Sequence, residues 1–174
     1  MNYYLIGLGA QISEIRGLLD WNQEQLAKRI GVSRSTIVKI EKNPNNIQKY
    51  IAYSLYLVVY KEIEDRKEKL NQINFESEDK NSLLEEINDK IGISAKVIGT
   101  STIFSGIGAA LGSMAMGLFS KNKDNNSDIN NKKIKEITTK SLTQIEKELS
   151  NYFGIKDLNN TKEFLKKIEE EEEL

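Results

Sequence analysis

Apolar positions recur at helical spacing through most of the chain. Ile12, Ile15 and Leu19 share one face, and their run stops at Asp20-Trp21-Asn22, a polar break able to cap the next helix. Leu26, Ala27 and Ile30 line one side of a second helix that begins near Gln23, and Gly31 stands where a helix ends with positive φ. Ser33 is a good N-cap for a third helix with Ile37 and Ile40 inward, and Asn43-Pro44-Asn45-Asn46 ends it. Ile47, Ile51, Leu55 and Val58 then start a fourth, a long apolar helix that also carries Tyr50, Tyr53, Tyr56 and Tyr60. Residues 61–75 are heavily charged around sparse Ile63, Leu70 and Ile73, and Arg66-Lys67 interrupts the seam, so no sustained coiled coil is expected. Ser82 and Glu85 have the pattern of a capping box ahead of Leu83, Leu84, Ile87 and Ile91. The Asn-rich stretch 121–133 reads as a linker. Beyond it, Ile134, Ile137, Ile145, Leu149 and Phe153 trace a stripe closed by Gly154, and Phe164, Leu165 and Ile168 mark a last short helix.

The composition agrees with an all-α fold: one Pro in 174 residues and long stretches without Gly suit helices better than a turn-rich sandwich or barrel. The length is that of one domain or two small ones. With no Cys and no His, the chain has no disulfide, no zinc site of the usual kind, and no thiol or imidazole for catalysis. It also lacks a phosphate-binding Gly loop and any recognisable pair of catalytic acids, so no enzyme, cofactor or metal centre is expected. The formal charge of -1 conceals an uneven distribution. Residues 1–60 carry seven basic and four acidic side chains, whereas 61–96 carry seven and ten, 97–120 none, and 121–174 eleven and twelve. Only the first block has a field that attracts a polyanion, so a nucleic acid would bind there. The opening Met1-Asn2-Tyr3-Tyr4-Leu5-Ile6 has no basic leader, and a cytoplasmic N-terminus is expected. The carboxylates Glu169 to Glu173 read as a solvated end.

The 24 residues between Lys96 and Lys121 are uncharged and rich in Gly, Ala, Ser and Met. About 20 apolar residues in a helix span a bilayer, and small residues such as Gly108 and Gly112, four apart, permit close helix approach in lipid. The segment is only moderately hydrophobic, however, and Lys is denser after it (Lys121, Lys123, Lys132, Lys133, Lys135) than before it (Lys80, Lys90, Lys96). Positive charge favours the cytoplasmic side, so this bias opposes a single span with a cytoplasmic N-terminus. A re-entrant hairpin and a buried soluble helix both stay open beside membrane insertion.

The frame from Gln23 to Lys42, with Leu26-Ala27, Ile30-Gly31-Val32, Ile37 and Ile40 at their spacings, resembles the helix-turn-helix of the phage-repressor family, the Cro-like or Xre-like regulators. Ala27 lets two helices approach, Gly31 makes the tight turn, and Val32, Ile37 and Ile40 fill the wedge. The resemblance covers roughly residues 5 to 60. It implies a four- or five-helix lambda-repressor-like domain, with the long apolar helix after Pro44 departing from the usual turn and short fifth helix. It also implies that Arg34, Ser35 and Lys39 meet DNA bases, that Gln23, Ser33 and Lys42 hold phosphates, and that Arg16 and Glu41 pair as scaffold.

The expected organisation is a DNA-binding domain over 1–60, a charged connector over 61–96, the Gly-rich segment over 97–119 as helix or hairpin, a polar linker over 120–133 and amphipathic helices over 134–174. The expected function is a sequence-specific transcriptional regulator, a repressor binding double-stranded DNA as a homodimer. The dimer surface could be the Tyr stripe, the Gly-rich segment or the C-terminal helices. The protein is cytoplasmic in this reading, attached to the membrane if residues 97–119 insert. The alternative is a membrane-associated protein in which the Gly-rich segment is the working part and the DNA-binding module regulates it.

Overall fold

In the computed structural model, residues 2–73, 85–87, 89–90 and 127–169 are described, apart from the side chains of 127–134 and 137. Every regular element among them is helical. The chain divides into two units, residues 1–63 with 145–174 and residues 64–144.

The first unit opens with a helix that the apolar pattern did not separate from its neighbour. The helix α1 spans Tyr3–Ala10 and is started by Asn2, whose side chain accepts from the Leu5 backbone N–H at 2.8 Å. The next helix, α2 (Ile12–Leu18), buries Ile12, Ile15 and Leu18. Its end is a tight reversal in which Asp20 adopts φ 57°, while Trp21 N–H donates to the Arg16 carbonyl and Asp20 N–H to that of Gly17. The helix α3 (Gln23–Ile30) begins with a full capping box between Asn22 and Gln25 and ends at Gly31, left-handed at φ 83°. Ser33 caps α4 (Arg34–Lys42), its Oγ accepting from the Thr36 N–H at 3.2 Å. A single 3-10 turn, Pro44–Asn46, leads into α5 (Lys49–Asn71).

The long helix after Pro44 is thus one element of 23 residues, starting two residues later than Ile47. Ile47, Ile51 and Leu55 are buried as the periodicity implied, but the next inward position is Val59 rather than Val58, which is half-buried. The buried row 51, 55, 59, 63 advances four residues at a time, a closer match to 3.6 per turn than a three-residue step to 58.

The end of one long helix and the whole of the next, both beyond residue 144, complete this unit. The helix α6 (Ser127–Tyr152) closes at Gly154 (φ 60°), with Ile155 N–H donating to the Ser150 carbonyl at 3.0 Å. The last helix, α7 (Thr161–Glu169), buries Phe164 and Ile168 while Leu165 is half-buried. Phe164 stacks on Tyr56 with ring centroids 4.2 Å apart, and Phe153 meets both rings edge-on. The Tyr56 hydroxyl donates to the Leu158 carbonyl at 2.6 Å, and that of Tyr4 to the Phe153 carbonyl at 2.8 Å. Tyr56 therefore belongs to the core and Tyr53 reaches Phe164, whereas Tyr50 stays exposed.

In the second unit Arg66, Leu70, Ile73, Ile87, Thr138, Ser141 and Leu142 are buried. The stretch read as a linker is helical from Ser127 onward, because adding residues to an existing helix costs far less than nucleating one, even where Asn is a poor helix former. Of the expected features, Ser82, the Gly-rich segment 97–119 and residues 120–126 and 170–174 lie outside the described residues.

Two glycines of α1 behave oppositely. A Cβ on Gly9 would sit 2.9 Å from the Pro44 carbonyl oxygen and 3.2 Å from Ile47 Cγ2, whereas one on Gly7 would meet nothing within 4 Å. In urea denaturation Gly9→Ala is expected to destabilise the protein by about 1–3 kcal/mol and Gly7→Ala to stabilise it by about 0.5–1 kcal/mol. The buried phenols give a second expectation. Burial, with Glu163 and Tyr56 nearby, pushes the Tyr4 hydroxyl well above the ordinary phenol range, and burial also raises Tyr56 against the opposing effect of its Thr161 hydrogen bond. Their contribution to stability is complete below the unfolded phenol pKa of about 10 and is lost as pH rises, because the unfolded chain releases protons the folded one retains. The urea midpoint should therefore fall above pH ~10, and less steeply in Tyr4→Phe.

Candidate nucleic-acid interface

The helices α3 and α4 pack against each other, with Leu26, Ala27, Ile30, Ile37 and Ile40 buried. Gly31 N–H and Val32 N–H both donate to the Ala27 carbonyl at 2.9 Å, which turns the chain within two residues. Val32 is half-buried, so it borders the wedge that the two isoleucines fill. With Ile37 and Ile40 inward, helical geometry turns Ser35, Val38, Lys39 and Lys42 to the opposite face of α4 and leaves Arg34 on its flank beside α3. Arg34, Ser35, Lys39 and Lys42 are exposed and Val38 is half-buried.

One carboxylate ties these helices to α2. Arg16 Nε donates to Glu41 Oε1 at 3.0 Å, with side chains 22% and 14% exposed, so the pair is half-buried. Gln23 Nε2 donates to the other oxygen, Oε2, at 2.7 Å. Arg16 Nη1 also donates to the Trp21 carbonyl at 2.9 Å. On the far side of Gln23, its Oε1 accepts from Arg34 Nη2 at 3.2 Å. The residues Arg16, Asn22, Gln23, Glu24 and Arg34 line an open depression of about 400 Å³ at this junction. Trp21 is buried and carries the Arg29 guanidinium 4.4 Å from its ring centroid.

The residues named from the sequence are thus gathered on and beside α4, but not all in equal roles. Arg34, Ser35, Lys39 and Lys42 occupy the outer surface of α4 or its flank. The Ser33 hydroxyl is engaged in capping and lies 2.8 Å from Ser35 Oγ and 2.9 Å from Thr36 Oγ1. Gln23 has both ends of its amide engaged, by Glu41 and Arg34. At the end of α4 the Lys39 carbonyl accepts from Asn43 N–H at 2.9 Å and from Asn46 Nδ2 at 3.1 Å. Val38 is the outward residue that sequence reasoning missed. Its signal was its place in the row 34, 38, 42, four residues apart, where an apolar side chain among cations has no core to fill.

A helix-turn-helix family model matches residues 12–55. Two uncharacterised helix-turn-helix-type transcriptional regulators of Archaeoglobus fulgidus are similar to this chain. One is 44% identical over 55 residues, 32% of this chain and 78% of the relative. The other is 42% identical over 55 residues, 32% of this chain and 79% of the relative. No solved structure matches.

Removing the carboxylate isolates its contribution. Glu41→Ala leaves Arg16 and Gln23 without their shared acceptor and is expected to cost about 2 kcal/mol in urea denaturation. A double-mutant cycle with Arg16→Ala should show coupling, and strictly additive losses would contradict the pairing.

Proposed function

The chain belongs to the Cro- and Xre-like helix-turn-helix family of DNA-binding regulators, and from that premise we propose that it is a sequence-specific repressor binding double-stranded DNA as a dimer. In this reading α4 enters the major groove and α3 lies across the backbone. The single observation that carries it is the exposed Arg34, Ser35, Lys39 and Lys42, with half-buried Val38 among them, on a helix whose other side is locked to α3.

Each side chain suits a distinct task. The Arg34 guanidinium can make a bidentate contact with guanine O6 and N7, Ser35 and Lys39 can donate to base-edge acceptors, and Val38 can pack on a thymine methyl. Lys42 and the N-terminal N–H groups of α4 beside Ser33 favour phosphates, which position the protein without reading sequence. The mechanism is binding rather than catalysis: a protein seated on its operator blocks the site by occupancy.

One recognition helix covers half an operator, and a dimer reads two half-sites about 10 base pairs apart. Tyr50 and Leu57, exposed and seven residues apart on α5, offer an apolar surface for a second copy. A second reading, membrane tethering, is favoured by the 24 uncharged residues between Lys96 and Lys121. Among the described residues no helix is long and apolar enough to cross a membrane. Recovery after a high-pH carbonate wash separates the two readings: a tethered protein stays with the membrane pellet and an untethered one is released.

The decisive test uses duplexes enriched by the full-length protein from a randomised library. Arg34→Ala should lose about 1–3 kcal/mol on the enriched duplex with helical content unchanged, while Lys42→Ala should chiefly reduce the salt dependence of binding. An Arg34→Ala protein that binds the enriched duplex as tightly as wild type would refute the assignment.

A further inference from the structure

The geometry points to Gln23 as a positioning residue that seats the Arg34 guanidinium, with Glu41 fixing the amide that does so. The proposal deepens the reading of Arg34 as a base contact and rests on it. An ionised carboxylate only accepts hydrogen bonds, so the group that Gln23 turns toward Glu41 must be its NH₂, which donates to Oε2 at 2.7 Å. The carbonyl end of the same planar amide is then forced to face away, and there it accepts from Arg34 Nη2 at 3.2 Å. Reversing the amide would set an oxygen against the carboxylate and an NH₂ against the guanidinium, two repulsive contacts in place of two bonds. Glu41 cannot turn to follow, because its other oxygen takes Arg16 Nε at 3.0 Å and Arg16 is pinned to the Trp21 carbonyl at 2.9 Å. A relay therefore runs from the reversal at the end of α2, through Arg16, Glu41 and Gln23, to the first residue of α4.

The consequence for recognition is entropic. An arginine at the first position of a helix has many rotamers available, and ordering it on a base costs affinity unless it is already ordered. The bond to Gln23 Oε1 removes part of that freedom before DNA arrives. Gln23 and Glu41 thus influence which base pair is preferred, although Glu41 meets no DNA in this arrangement.

The test compares the full-length wild type, Gln23→Ala, Arg34→Ala and the double variant on the enriched duplex and on a scrambled duplex of equal length. Fluorescence anisotropy at fixed salt gives the affinities, and thermal melting by circular dichroism verifies folding. Positioning predicts that Gln23→Ala loses about 3- to 10-fold on the enriched duplex, the range expected from freeing one long side chain. It also predicts no loss on the scrambled duplex and no further loss when Arg34 is already alanine. Glu41→Gln, which permits the amide to reverse, should repeat this selective loss. Equal losses on both duplexes, or an undiminished loss in the Arg34→Ala background, would mark Gln23 as a direct phosphate contact and overturn the relay. Wild-type binding by Arg34→Ala would overturn the base assignment itself, and the relay with it.

Discussion

A single carboxylate organises the candidate interface. Glu41 accepts from Arg16 on α2 with one oxygen and from Gln23 on α3 with the other, while itself belonging to α4. Three helices are thereby held at one point by charge-assisted hydrogen bonds, which are shorter and stronger than neutral ones. Hydrophobic burial of Leu26, Ile37 and Ile40 supplies adhesion but tolerates small slides, whereas a two-sided carboxylate with fixed donors does not. The rigidity matters because reading a base edge requires side chains placed within fractions of an ångström.

The same logic explains the ends of the helices. Each of the reversals around α2, α3 and α4 is defined by capping groups: Asp20 in a left-handed conformation, the Asn22 and Gln25 box, Gly31, and Ser33. These caps satisfy backbone groups that would otherwise be orphaned at the helix ends. Short helices of seven to nine residues have little stability of their own, so caps and tertiary packing determine where they begin and stop. The third contribution comes from the opposite end of the sequence, where Phe153 and Phe164 enclose Tyr56 on α5. The wedge of α3 and α4 and the phenylalanines of this aromatic cluster thus share one unit even though about a hundred residues separate them in the chain.

The helices around the wedge were legible in the sequence because their signals are local: a Gly at a left-handed turn, a Ser cap, and isoleucines three residues apart. The Arg16 and Glu41 pair was reached through family resemblance, since nothing in a 25-residue separation reveals a contact. The separate helix α1 was not legible, because Gly7, Gly9 and Ala10 weaken its apolar stripe and Asn2 alone marks its start. The partnership of Tyr56 with Phe164 was hidden for a different reason: a Tyr stripe reads equally well as a dimer surface or as core, and only the returning α7 decides. Gln23 illustrates the limit on roles. Its position announced a polar contact, but the direction of its amide depends on a carboxylate eighteen residues away.

Amide chemical-shift perturbation of the ¹⁵N-labelled full-length protein on titration with its enriched duplex addresses the central claim most directly. Changes concentrated at residues 33–39 and at the head of α3, around Asn22 to Glu24, are the predicted result. Changes confined to α6 and α7, with the backbone of α4 undisturbed, would contradict it.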